Sequence, residues 1–441
     1  MRLLSAQSLL SRCEQATQPT NRKRKKIFAF RNKNSPEFQN YLWTFLASGM
    51  SAVYVAMMVL ITARVVGIAE AGMVSFSIAT IRIFSYIILA VRSFQSTDIR
   101  QEYSLNTYVG MRICSVVFAS AFFLLFILIS RFDTSRTFLL LLFYFVYLVD
   151  GIADVFMGDL QQKGKMRVAG RMRATSFGLS LLASAAIMYI TQSLIVPVIF
   201  SGIVVFITYI VWIWCYRRHF VQLRVKFDVP AIKKLASTGG PVLITTVAYI
   251  YLLNAQKYYL GFFDSDESVA IITMLMQPVT MLNLFLGSFF AGAELTKTAE
   301  TYIFGDKKLF SRRIHRQLSL AASFAAVFLL CCFTFGIPLL SWLYNVYLFP
   351  FTREFTMIAL LGAVFAIFMP LSGGTMAMRQ QKVCMYVMLV MATWASAIMW
   401  FMVSGHGITG AVISNLLIYI PLVVAYFAVY RTGLRRMKPA P

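Results

Sequence analysis

Five ionisable side chains stand inside stretches otherwise too apolar to tolerate them: the cations Arg82, Arg112 and Lys257, and the carboxylates Asp150 and Asp154. At the centre of a lone membrane helix each would cost at least about 2.5–3.5 kcal/mol, so each needs a partner, a wet cavity or the interface. Two chemistries are open. Asp150 and Asp154 are spaced i, i+4 and share a helix face, so they could neutralise Arg82 and Arg112 within the first half of the chain while Lys257 snorkels outward. Alternatively the three cations, with Asn254 beside Lys257, line a water-filled cavity with a net positive wall. Such a wall would draw an anionic group. Phosphate or pyrophosphate fits, because Arg grips phosphate oxygens bidentately and Lys acts as a point charge. Asp150 and Asp154 would then answer a coupling proton or cation, a partly buried carboxylate being easier to protonate.

The elements that must position these residues follow from composition. Only 13% of the chain is charged and 59% is hydrophobic, whereas a soluble domain carries about 25% charged residues. Uncharged runs recur at 40–63 and 268–293, and two more, 174–216 and 383–430, are too long for one crossing of a core about 30 Å thick. Thr191-Gln192-Ser193 interrupts the first of these long runs and Ser404-Gly405-His406-Gly407 the second. The runs are continuously apolar, without the alternation a membrane barrel needs. The expected fold is therefore an all-α integral membrane protein of about twelve spans, near 39–63, 71–91, 107–130, 137–158, 172–190, 194–216, 236–262, 268–292, 317–340, 355–377, 383–403 and 408–430.

The net charge of +24 could suggest a nucleic-acid partner, but its distribution explains it otherwise. With the N-terminus placed in the cytoplasm, 34 of the 41 Lys and Arg fall on the even-numbered side, and the outer loops hold only Arg64, Arg131, Arg136 and Arg353. That asymmetry is what the positive-inside rule expects of a multi-pass protein with both termini cytoplasmic. No nucleic acid is expected as a partner; membrane lipids are.

The largest cytoplasmic loop splits the spans six and six, as in transporters built from two halves related by an axis along the membrane normal. The expected organisation is a basic cytoplasmic arm at 1–36, a six-helix lobe at 37–216, a basic linker at 217–235, a second six-helix lobe at 236–430 and a basic tail at 431–441, with a central cavity between the lobes. Gln161-Gln162-Lys163 after the fourth span and Gln380-Gln381-Lys382 after the tenth occupy equivalent places in the two halves.

Several chemistries lack their residues. There is no Walker-type phosphate loop, and His219, His315 and His406 stand apart with no metal-ligand spacing, so neither a metal nor a cofactor is expected. The outer loops hold no pair of thiols that would imply a disulfide framework. Gly405-His406-Gly407-Ile408-Thr409-Gly410 matches a dinucleotide fingerprint letter for letter, but that motif works only between a strand and a helix. Here it falls between two spans, where its glycines serve a tight helix–helix connection.

Three segments carry a resemblance: Arg64-Val65-Val66-Gly67-Ile68-Ala69-Glu70-Ala71-Gly72 after the first span, Asp159-Leu160-Gln161-Gln162-Lys163-Gly164-Lys165-Met166 after the fourth, and Asn254-Ala255-Gln256-Lys257-Tyr258-Tyr259-Leu260-Gly261 closing the seventh. With these, residues 38–430 resemble the polysaccharide transporters, O-antigen flippases in particular, of the multidrug/oligosaccharidyl-lipid/polysaccharide exporter superfamily. The resemblance implies two six-helix lobes forming a V-shaped cavity and alternating access for an undecaprenyl-pyrophosphate-linked oligosaccharide. It implies a non-enzymatic flippase in a bacterial inner membrane that hands its cargo to a polysaccharide polymerase and other assembly proteins. Arg82, Arg112 and Lys257 would be candidates for the cationic lining. The rivals are a multidrug cation exporter, which would want an acidic cavity, and a membrane polymerase or glycosyltransferase, which would want a large outer loop carrying catalytic residues. The longest outer connection, 341–354, is aromatic with only Arg353 and Glu354 charged.

Overall fold

The computed structural model describes residues 36–97, 103–219, 225, 227–290, 294–303 and 305–437, and among these all regular structure is helical. The first half forms α1 (Pro36–Val65), α2 (Ile68–Thr97), α3 (Leu105–Ser130), α4 (Thr134–Gln162), α5 (Met166–Thr191) and α6 (Ile195–Cys215). The second forms α7 (Val229–Phe263), α8 (Asp266–Phe289), the short α9 (Leu295–Ile303), α10 (Lys307–Tyr344), α11 (Thr352–Ala377) and α12 (Gln381–Arg436).

Among the described residues ten helices are long and apolar enough to cross a bilayer. One of them, α12, is 56 residues, which at about 1.5 Å per residue is far too long for a single crossing. It folds at Gly407, whose φ of 50° and ψ of −129° belong to no helix. A side chain at that φ is strained, and a Cβ there would also lie 2.9 Å from Asp264 Oδ2. The glycine motif is thus the helix–helix connection expected of it. With α12 counted as two arms and the bent α7 added, each of the twelve predicted spans has its helix. Side chains facing away from the bundle are apolar: Leu128 is 74% and Ile190 82% exposed, an arrangement that suits lipid and not water.

Helix ends differ from the expected bounds where local capping outweighs hydropathy. Within the predicted linker, Asp228 caps α7 by accepting from the Ala231 N–H, so this helix begins at Val229. It then bends by 55° between Val229–Ser237 and Gly239–Phe263. Its first turns lean on the other lobe, Ile232 and Leu235 packing with Val91, Tyr108 and Val155. In the predicted tail, α12 continues to Arg436. Residues 1–35 of the basic arm, 220–224 and 226 of the linker and 438–441 of the tail lie outside the described residues.

The two halves pack alike. In the first, α1 lies on α5 and α2 on α4; in the second, α7 lies on α12 and α8 on α11. The seam between lobes is chiefly α2 against α7 and α8. Arg64, Arg136, Gly261 and Asp266 mark one end of the bundle, called here the latch end. The opposite end carries most of the Lys and Arg among the described residues and is called the basic end.

Candidate functional site

The intramembrane charges sort into two groups. In the first lobe, α4 carries Asp150 and Asp154 one turn apart, and the neighbouring helices converge on them with arginines. Asp154, with no exposed surface, receives Arg92 of α2 at 2.5 Å, Arg112 of α3 at 2.9 Å and Arg173 of α5 at 3.3 Å. Asp150 receives both Nε and Nη2 of Arg173, at 3.1 and 2.8 Å, and the Tyr209 hydroxyl of α6 at 2.5 Å. Arg112 is 2% exposed and also donates to the Ile88 carbonyl. Arg92 donates to Gln161 Oε1 at 2.9 Å, so in the first lobe the Gln-Gln-Lys step has a local use. Five of the six helices of the lobe meet at this knot. Every carboxylate oxygen in it has a guanidinium or phenol partner.

The second group lies at the seam. Arg82 of α2 and Lys257 of α7 line one cavity of about 110 Å³ between the lobes, with Asn254 and Gln256 of α7 and Ser75 of α2 beside them. Thr273, Gln277, Thr280 and Asn283 of α8 complete its polar wall; Val55 and Val59 of α1 and Phe365 of α11 are among its apolar residues. Among the described residues neither cation has a carboxylate within ion-pairing distance, and no Asp or Glu lines the cavity. Gln256 Oε1 and Asn283 Oδ1 are buried without a hydrogen-bond partner. Two half-buried cations in a membrane interior call for an anion, and the two amide oxygens, being acceptors, call for donors such as the water that hydrates it. The space takes a phosphate-sized group but not an oligosaccharide, so a large ligand requires the lobes to part.

The seam presents a different surface around the corner of the same helices. Phe76, Thr80 and Ile83 of α2, Phe126 of α3, Tyr251, Tyr258, Tyr259 and Phe262 of α7 and Trp400 of α12 line an apolar space of about 320 Å³. Period 3.6 puts Ala79 and Arg82 on one face of α2 and Phe76, Thr80 and Ile83 on the next. A charged cavity and an aromatic groove thus share one pair of helices.

Contacts toward the latch end tie the lobes together. Arg136 of α4 pairs with Asp266 of α8 and donates to the Gly261 carbonyl at 3.4 Å. Its guanidinium lies 5.1 Å from the Phe76 ring centroid and 5.6 Å from that of Phe132. Tyr258 donates to the Ala79 carbonyl at 2.8 Å, Ser75 and Thr273 hydroxyls meet at 2.7 Å, and Arg64 donates to the Trp342 carbonyl at 2.6 Å. Gly72 packs directly on the α7–α8 turn: a Cβ there would sit 1.7 Å from the Asp266 carbonyl oxygen. No larger residue allows that approach.

Of the residues singled out in the sequence, Arg82, Asn254 and Lys257 come together in one cavity spanning both lobes. Arg112 does not join them; it is held by Asp154, as the pairing alternative foresaw. Arg82 does not pair with either carboxylate. The arginines that take its place stand at span ends: Arg92 just beyond the second expected span, where α2 continues to Thr97, and Arg173 at the very start of the fifth, one turn and more inside α5. Two carboxylates on one buried helix face need cations at matching depth on the adjacent helices, and that requirement could have pointed to Arg92 and Arg173. Arg136 and Asp266 each sit at the mouth of a loop and carry no sequence signal of their mutual contact.

The profile of a family described as polysaccharide biosynthesis protein matches residues 38–294. No match was found among curated proteins. Among solved structures, an inward-facing multidrug resistance MATE family transporter of the MOP superfamily has a TM-score of 0.67 at 10% identity, covering 87% of this chain and 94% of that one. The Vibrio cholerae MATE transporter VcmN in its bent form gives 0.57 at 11% identity, covering 91% and 98%. The eukaryotic MATE transporter AtDTX14 gives 0.60 at 11% identity, covering 93% and 100%. At such identities the likeness establishes the fold.

Proposed function

The chain belongs to the polysaccharide biosynthesis protein family, and from that premise we propose that it is a flippase carrying a lipid-linked oligosaccharide across a bacterial inner membrane for surface polysaccharide assembly. The observation that carries this reading is the seam cavity, where Arg82 and Lys257 come from different lobes and have no carboxylate of their own. A diphosphate linking sugar to lipid supplies the missing negative charge, and contacts from both lobes let its passage be coupled to their relative motion. Asn254 and Gln256, whose amide nitrogens donate to the Ile250 and Leu253 carbonyls, would hold the waters around that group through their oxygens. The aromatic groove beside the cavity suits a polyprenyl chain that stays in the apolar phase while the headgroup crosses.

In this proposal the basic end faces the cytoplasm with both termini, following the distribution of Lys and Arg. Closure at the latch end then corresponds to a state that admits cargo from the cytoplasm. Arg112, Asp150 and Asp154 have a structural task in it: the two carboxylates hold three arginines and five helices together, which leaves them poorly placed to exchange a coupling ion. Transport without ATP draws on an ion gradient or on removal of product outside by a polymerase. The protein performs no covalent chemistry in this reading.

A multidrug cation exporter would share the fold, but a cationic drug would meet two cations and no lining carboxylate. The test is lipid-extract mass spectrometry of cells with and without the gene. Accumulation of a polyprenyl-diphosphate oligosaccharide together with loss of a surface polysaccharide is the expected result. Persistence of the polysaccharide with no such precursor would overturn it.

A further inference from the structure

The basic end of α10 presents a second cationic site that the seam cavity does not use. Leu309, Arg312, Arg313, Arg316 and Leu320 recur at helical spacing on one face, and they line a cavity of about 680 Å³ with Glu294 and Gln317. Gln317 is buried and committed, donating to Thr298 Oγ1 at 3.1 Å and to Glu294 Oε2 at 3.5 Å. Glu294 is the one carboxylate among the described lining residues, against three guanidiniums. Arg313 Nη1 is buried without any hydrogen-bond partner. A buried guanidinium nitrogen left unsatisfied costs free energy unless an acceptor reaches it.

What lies next to this face identifies the acceptor. Going deeper along α10, Leu286 of α8 and Phe290 just after it pack with Ala321 and Ala325 in an apolar cluster. Beyond it the outer surface of α10 is apolar and open: Val327 is 60% and Leu330 65% exposed, on the helix turns that continue below Leu320. An anion bound at the arginines would therefore have hydrocarbon directly beneath it. A free anion needs no such surface; a two-chain lipid does.

We propose that Arg312, Arg313 and Arg316 bind the phosphodiester headgroup of an anionic phospholipid, whose acyl chains run down the Leu320–Leu330 surface of α10. Guanidinium forks take the phosphate oxygens bidentately, and basic pockets between membrane helices are suited to such headgroups. The inference does not depend on the flippase reading, because Arg82 and Lys257 play no part in it.

The full chain is purified in detergent, and thermal unfolding and native mass spectrometry are followed with added phosphatidylglycerol, phosphatidylcholine or inorganic phosphate. Phosphatidylglycerol is expected to bind and raise the unfolding midpoint, with phosphatidylcholine and inorganic phosphate leaving it unchanged. R312Q/R313Q/R316Q should lose roughly tenfold or more in affinity for phosphatidylglycerol. R82Q/K257Q should keep it. Equal response to phosphatidylcholine, undiminished binding by the triple variant, or inorganic phosphate matching the lipid at equal concentration would each overturn the proposal. Should the triple variant fail to fold, R312Q/R316Q changes only two exposed positions and should show the same loss in smaller measure; unchanged binding there would also overturn it.

Discussion

Two sets of charges sit at membrane depth in this protein, and they are built oppositely. The knot around Asp150 and Asp154 leaves no carboxylate oxygen unanswered: three arginines and a tyrosine meet the two carboxylates, and Gln161 accepts from Arg92, with only Arg112 Nε among its buried atoms lacking an acceptor. The pair Arg82 and Lys257 is left open, with amide groups for company and no carboxylate. A saturated ionic cluster in a low-dielectric interior holds helices in register, since removing any member strands the others. An open pair is costly without a guest, so its persistence speaks for a ligand. The lobes sharpen the contrast. Counting from the shared Gln-Gln-Lys step, the second lobe has Met369, Gly373 and Ala392 where the first has Asp150, Asp154 and Arg173. The duplicated architecture survives without the knot: in the second lobe Tyr249, Phe368, Met369, Met388 and Tyr426 line a cavity of about 240 Å³ with no charged residue among the described residues of its wall.

The comparison can be broken most severely at the knot. Asp154→Asn should destabilise the protein by about 3–5 kcal/mol, the usual consequence of stranding a buried charge, with Arg112 left uncompensated at 2% exposure. Loss of the folded protein in detergent is the expected readout; a thermal midpoint equal to wild type would show the knot to be dispensable. At the seam the outcome should invert. Lys257→Ala or Arg82→Ala should abolish most export, a buried charged contact to a ligand being worth about 2–5 kcal/mol, while the thermal midpoint barely moves. Full surface polysaccharide in both variants would remove the anion-site reading.

The latch offers two smaller tests of how the open pair is presented. Gly72→Ala must push the α7–α8 turn away from α2, at about 1–3 kcal/mol for an overpacked contact. Disulfide trapping between S75C and T273C, whose native hydroxyls are 2.7 Å apart, should fall several-fold; unchanged trapping would show that the lobes part elsewhere. Arg136→Gln removes a half-buried ion pair worth up to about 1 kcal/mol, so trapping should fall only slightly. The exchanged pair R136D/D266R should restore it, and failure to do so would assign Arg136's contribution to its contacts with Phe76 and Phe132 instead.

How these sites divide between sequence and structure follows from the range of the forces involved. The number of spans, their places and the excess of Lys and Arg at one end were legible, because length, apolarity and charge along a segment decide whether it crosses a bilayer. The turn role of Gly405-His406-Gly407 was legible for the same reason. Helix ends were less so: Asp228 caps α7 inside what composition marks as a linker. Tertiary structure alone decided who pairs with whom. Arg82 and Arg112 look alike as isolated cations in apolar helices, yet one faces a cavity and the other a carboxylate. Which it is depends on how each helix is rotated and how far its neighbours extend, and that is set by packing across the bundle, where Gly72 meets Asp266 and α2 meets α4, α7 and α8, not by any segment on its own.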